Sequence, residues 1–117
     1  MDGKSWIGVD FDGTLAYYDR WRGSTHLGKP IQRMVKLVQR LIASGKTVKI
    51  FTARVAGEDA DAVETARMLI EDWTEKYIGT RLEVTNIKDQ GMVTLYDDRA
   101  IQVLTNTGRR VVVKAGE

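Results

Sequence analysis

Aspartates stand in pairs at two places where an apolar run ends. Asp10 and Asp12 follow Trp6-Ile7-Gly8-Val9, and Asp97-Asp98 follow Val93-Thr94-Leu95-Tyr96. Side chains alternate along a strand, so a strand running through Asp12 would set Asp10 and Asp12 on one face. Two carboxylates at the end of a buried strand repel each other and cost desolvation. A metal ion or a reaction that uses the charges offsets that cost. Without one, Asp12-Gly13 is an ordinary turn signal and the two acids are solvated. On the pair alone both readings stand.

Composition narrows the classes. A chain of 117 residues is one domain by length, 1–117. With 43% hydrophobic and 29% charged residues it can build a core and is neither disordered nor fibrous. Eighteen basic and 16 acidic residues give a net charge of +2, too balanced for a dedicated nucleic-acid binder but compatible with a phosphate-bearing substrate. There is no cysteine, which excludes thiol catalysis and fits a reducing compartment. A Ser-His-Asp site would have to use His26, the only histidine. No stretch resembles a signal peptide and no apolar run approaches the ~20 residues of a membrane span, so a cytoplasmic protein without membrane contact is expected.

The elements that must position the acids follow from periodicity. The run from Trp6 is the first strand. Residues 16–28 mix aromatic and basic side chains without a period and read as a loop, with room for a short hairpin. Pro30 suits a first helical position, Ile31, Met34, Val35, Val38, Leu41 and Ile42 follow at helical spacing, and Gly45 stops the helix. Thr47 to Phe51 is a second strand, ending at Thr52-Ala53-Arg54. The longest helix spans Gly57 to about Tyr77, with Ala62, Val63, Ala66, Leu69, Ile70, Trp73 and Tyr77 in one stripe and acids in its first turns. Leu82–Thr85 and Val93–Tyr96 are the third and fourth strands. Ile101–Leu104 and Val111–Val113 read as a terminal hairpin. Strands alternating with helices predict a single three-layer Rossmann-like α/β domain, mainly parallel, with helices on both faces and no substantial cap. Ligands of such sheets bind beyond the carboxyl ends of the strands. Those ends carry Asp10 and Asp12, Thr52, Lys88, and Asp97 with Asp98.

Carboxylates, a lysine and a hydroxyl on one edge suit a hard cation held by oxygen. Mg²⁺ takes one or two carboxylates and completes its octahedron with water and substrate phosphate. No soft ligand competes, so zinc and copper are not expected. A carboxylate can also attack phosphorus and form an aspartyl-phosphate, provided that nearby positive charge offsets the meeting of two anions. A second acid close by, Asp12, would protonate the leaving oxygen and then activate water.

Asp10-Phe11-Asp12-Gly13-Thr14-Leu15 resembles the first motif, D-x-D-G-T-L, of the haloacid dehalogenase superfamily. Thr52, Lys88 and Asp97-Asp98 resemble its second, third and fourth motifs in order, and the likeness covers residues 5 to 105. The resemblance implies that Asp10 is the nucleophile and a Mg²⁺ ligand. It implies that Asp12 is the acid/base and lends its main-chain carbonyl to the metal. Thr52 and Lys88 would hold the phosphoryl group with help from the N–H groups of Phe11, Asp12 and Ala53. Asp97 would meet Mg²⁺ directly and Asp98 through water. An acid at the second position of the first motif favours phosphoryl transfer over dehalogenation. The short segments after Asp12 and Thr52 imply a capless member with an open site.

The expected activity is therefore hydrolysis of a phosphoric monoester, either a small molecule such as a nucleotide or a nucleic-acid or other macromolecular phosphate. Arg54 either reaches the substrate or pairs with a neighbouring acid. The loop bearing Tyr17, Tyr18, Arg20, Trp21, Arg22 and His26 either recognises the leaving group or packs on the first helix. The alternatives are a non-catalytic phosphate-binding or regulatory domain of the same fold, and a phospho-acceptor receiver domain. The position of D-x-D at the first strand argues against the receiver.

Overall fold

The computed structural model describes residues 5–112. Four strands, β1 (Trp6–Val9), β2 (Val48–Phe51), β3 (Val84–Thr85) and β4 (Met92–Tyr96), form one sheet in the order β3-β2-β1-β4. Every pairing is parallel. Helix α1 (Gln32–Ala43) connects β1 to β2, and α2 (Ala60–Tyr77) connects β2 to β3. The result is a small Rossmann-like α/β domain without a cap.

Alternate residues of β1, β2 and β3 face one apolar layer, while β4 is half-exposed. Ile7, Val9, Val48, Ile50 and Val84 pack in a single cluster with Val35 and Val38 of α1 and Ala66, Ile70 and Trp73 of α2. Both helices therefore lie on the same face, where alternation of elements led us to expect helices on both. The physical reason is the connection from β3 to β4, residues 86–91, which is half the dozen residues that a helical crossover needs. It returns as extended chain, and the Asp89 carboxylate accepts from the Trp6 indole N–H at 2.8 Å and from the Gly91 N–H at 2.9 Å. These bonds hold the Asp89 carboxyl below its usual range.

Other boundaries shift by local chemistry. Pro30 stays outside α1, in an antiparallel bridge with Ala16, while Ile31 caps the helix and Gly45 takes the left-handed conformation just beyond it (φ 89°). The segment 15–17 thus pairs with 29–31, closing the 16–28 loop at its base as a short hairpin. Thr52-Ala53-Arg54-Val55 forms a 3₁₀ turn before α2, which starts at Ala60 with Asp59 as its cap. The α2 stripe is narrower than its pattern: Ala62 is exposed and Tyr77 is 37% exposed, while Thr74 is fully buried. The Thr74 hydroxyl donates to the Glu71 carbonyl and accepts from the Leu82 N–H, which satisfies it inside the core. The expected terminal hairpin reduces to one bridge, Val103 to Arg110, and Val113 lies outside the described residues. Among the described residues no helix is long and apolar enough to cross a membrane.

Trp73 links this core to the loops above it. Its ring meets Phe11 edge-on at 4.9 Å, and its indole N–H donates to the Gly28 carbonyl at 3.0 Å. Trp73→Phe keeps an aromatic ring and leaves that part-buried carbonyl without its donor. Chemical denaturation is expected to show a loss of about 1–2 kcal/mol.

Candidate functional site: an acidic cleft at the carboxyl edge

Register builds the cleft. In the β1–β4 pairing Val9 stands opposite Tyr96, and the Asp10 N–H still donates to the Tyr96 carbonyl at 2.9 Å. The residues that follow, Asp10 and Asp97, leave two adjacent parallel strands at the same level. Strand spacing of about 4.8 Å then brings their side chains together. Oxygens of Asp10, Asp97 and Asp98 all lie within 4.8 Å of one another. They line a cleft of ≈ 480 Å³ together with Asp12, Thr52, Arg54 and Arg99.

β1 ends at Val9, so Asp10 and Asp12 do not share a strand face. Instead the chain folds back around one acceptor. The Phe11 carbonyl takes the N–H groups of Thr14 (3.3 Å), Leu15 (2.9 Å) and Ala16 (2.9 Å), while the Phe11 ring is buried in the core. Gly13 makes that turn possible. Its φ is 86°, and a Cβ there would stand 2.5 Å from an Asp98 oxygen. The turn points the Thr14 hydroxyl at the acids. It accepts from the Asp98 N–H at 3.1 Å and lies 3.2 Å from Asp98 Oδ1 and 3.4 Å from Asp10 Oδ2. With one proton to give, Thr14 can satisfy only one of the two carboxylates at a time.

The charge balance at this corner is unfavourable as it stands. Burial, a hydrogen bond with Asp98 and the nearby charge of Asp97 push the Asp10 carboxyl up to about 7, against a smaller opposing effect of the Phe11 N–H. Three converging carboxylates with no soft donor among them could hold a divalent hard cation, which would remove this repulsion. The donor set fits the cation expected there.

Asp12 belongs to a different arrangement. Arg54 Nε donates to Asp12 Oδ2 at 2.7 Å and Arg54 Nη2 to Asp12 Oδ1 at 2.9 Å, a two-pronged ion pair with both side chains largely buried. The same guanidinium donates to the carbonyls of Ser24 (3.3 Å) and His26 (3.1 Å), and lies over the Trp21 ring at 4.9 Å. Of the two roles open to Arg54, the structure gives it the acid partner. Thr52, buried at the base of the cleft, caps the 3₁₀ turn by accepting from the Arg54 N–H at 3.1 Å, and its own proton remains to be donated.

Thr52, Ala53 and both aspartate pairs thus reach one cleft. Lys88 does not: it is exposed in the 86–91 return, next to Asp89, and is not among the cleft-lining side chains. The cleft is also lined by Arg99, whose main-chain N–H donates to Asp97 Oδ1 at 2.7 Å. Arg99 was legible only as the residue after the acidic pair. Thr14 sits inside the first motif, yet its bridging of two strands needs the β1–β4 register. Tyr18 and Trp21 line the cleft as well, so the 16–28 loop faces the site rather than α1 alone. Comparison with protein-family models, with curated proteins and with solved structures finds no match.

Two outcomes follow from this geometry. An acid whose carboxyl is raised in the folded state holds its proton more tightly there than in the unfolded chain. Its contribution to stability is complete below about pH 4 and is lost as pH rises through 7. Thermal melts without metal are therefore expected to lose stability across this window, and Asp10→Asn to flatten the loss. Mg²⁺ is expected to raise the melting temperature more at pH 8 than at pH 5. Gly13→Ala is expected to cost about 1–2 kcal/mol through its left-handed backbone alone, and to weaken Mg²⁺ binding in a calorimetric titration by displacing Asp98.

Proposed function

We propose that the protein is a Mg²⁺-dependent phosphatase that hydrolyses phosphoric monoesters through an aspartyl-phosphate on Asp10, as its resemblance to the haloacid dehalogenase superfamily implies. The observation that carries this reading is the Asp10–Asp97–Asp98 cluster in one cleft with Thr52 and Asp12. Mg²⁺ held by that cluster would neutralise the charge of the acids and of the incoming phosphate.

The chain's own groups supply the remaining steps. Asp10 is half-buried at the strand end and attacks phosphorus, forming the Asp10–phosphorus bond as the ester oxygen departs. Thr52 donates its hydroxyl proton to a phosphoryl oxygen, with the N–H groups at the head of the 3₁₀ turn beside it. Arg99 lies at the rim and adds positive charge. Lys88 would join only if the 86–91 return shifts towards the edge. Asp12 gives its proton to the departing oxygen, then takes one from water as that water attacks phosphorus and frees Asp10. Arg54 engages both Asp12 oxygens from one side, and each retains a further lone pair for the proton. Arg54 is thus a positioning residue for Asp12. The open cleft admits water as the acceptor.

The same ion pair favours a second reading, a phosphate-binding module without catalysis, since an acid fully engaged by arginine would not need to move protons. Assay of an aryl phosphate with Mg²⁺ separates the two. Turnover is expected, with Asp10→Asn lowering kcat by at least about 10³-fold and Asp12→Asn by about 10²–10⁴-fold. Activity retained by Asp10→Asn would overturn the nucleophile assignment, and Mg²⁺ binding without turnover of any phosphoester would favour the module. Arg54→Met is expected to move the pH profile of kcat more than KM.

A further inference from the structure

A second cleft, of ≈ 420 Å³, adjoins the acidic one and shares Asp12, Tyr18 and Arg54 with it. The Asp12–Arg54 ion pair is therefore the wall between two spaces of opposite character. On one side stand Asp10, Asp97 and Asp98 with Arg99. On the other, the loop supplies Tyr17, Tyr18, His26 and Leu27 together with Arg20, Arg22 and Lys29. Asp19 is the remaining acid there, and it is bound to Arg22 at 2.6 Å, a pairing that draws its carboxyl down to about 2. Asp12 is paired with Arg54 at 2.7 Å. Once those pairs cancel, Arg20 and Lys29 set the sign of the second cleft as positive.

We propose that this second cleft is the leaving-group subsite and that it receives a nucleotide unit, its base against the tyrosine and histidine rings. The proposal rests on the phosphatase reading for the orientation of the substrate, and on the cleft alone for its chemistry. Phosphorus at Asp10 and the ester oxygen at Asp12 direct the rest of the molecule across the shared wall. The space lies within the ~300–1,000 Å³ usual for small-molecule sites. Flat aromatic rings stack on any base, and cations beside them suit a ligand carrying a further negative charge. A sugar phosphate would call for amide or hydroxyl side chains around its ring. The lining has no Asn, Gln, Ser or Thr, and its hydroxyls are phenolic. An acyl chain would call for an aliphatic channel, and Leu27 is the one aliphatic side chain present.

The substrate's source can be a free mononucleotide or the end of an oligonucleotide, since the unit recognised is the same. Tyr17 is 62% exposed, so its truncation removes a ring without opening the core. The test has two parts. Amide spectra of the whole protein, taken in EDTA with a nucleoside 5′- or 3′-monophosphate, are expected to shift at residues 17–29 and 54, with Tyr17→Ala weakening binding roughly tenfold or more and Tyr17→Phe restoring it. With Mg²⁺, the ratio of kcat/KM for nucleotide over glycerol phosphate is expected to exceed about ten, and to fall by a similar factor in Tyr17→Ala. A better oligonucleotide than mononucleotide, or the reverse, identifies the source and supports the subsite either way. Shifts at 17–29 without hydrolysis of any ester would leave the subsite standing and remove the phosphatase. Hydrolysis with no nucleotide preference and no shifts in the loop would overturn the subsite and leave the phosphatase.

Discussion

The β1–β4 register is the constraint from which the site follows. Two parallel strands in contact, ending at Val9 and Tyr96, deliver the next residue of each to the same level about one strand spacing apart. When both next residues are aspartates, the fold has forced like charges together at a half-buried position. The position of Asp98 is tied to the same corner through Thr14, and Gly13 is the residue that lets the two loops approach. Burial at that corner, then the hydrogen bond with Asp98 and the charge of Asp97, raise the Asp10 carboxyl. A protein gains nothing in stability from such a cluster. A bound hard cation would offset the like charge gathered there.

A second organising interaction sits beside the first. Arg54 is held by four oxygens: two of Asp12 and two loop carbonyls, those of Ser24 and His26. One buried guanidinium thereby ties the 3₁₀ turn after β2 to the turn after β1 and to the long loop. Trp73 anchors the same loop from below through Gly28, while packing on Phe11. Gly28 itself lies so close to the Tyr17 carbonyl that a Cβ there would collide with main chain. The 16–28 loop is therefore fixed at its base and at its centre, and its exposed side chains lie along the two clefts. A capless domain would use such a fixed loop in place of a lid.

Much of the architecture could be read from periodicity, because β-branched runs and helical stripes report burial directly. The D-x-D turn, Thr52 and the second acid pair could be placed on one edge for the same reason: each follows a strand, and parallel strands end together. The errors have physical causes. Alternation of strands and helices does not say on which face a helix lies, and the short 86–91 return carries no helix at all. That return also decides Lys88, whose place in sequence order puts it after a strand but whose chain is already leaving the edge. Ala62 fits the α2 stripe by angle, yet it is exposed in the first turn, where Val63 rather than Ala62 meets the core. Thr74, a polar residue at the centre of the core, is allowed there by two hydrogen bonds that no pattern of apolar residues encodes. Thr14 bridges the ends of β1 and β4 through Asp98, and only the register reveals a contact between residues so far apart in sequence.

The claim on which the rest turns is that the Asp10–Asp97–Asp98 corner is a cation site. Paramagnetic broadening by Mn²⁺, titrated into the labelled protein at pH 7.5 or so, addresses it residue by residue. Amide signals of Asp10, Phe11, Asp97 and Asp98 should disappear first and together, saturating at one equivalent, with Mg²⁺ in excess restoring them. Broadening that spreads evenly over the exposed acids, or that centres on Glu71, Asp72 and Glu75 around Arg81, would contradict it.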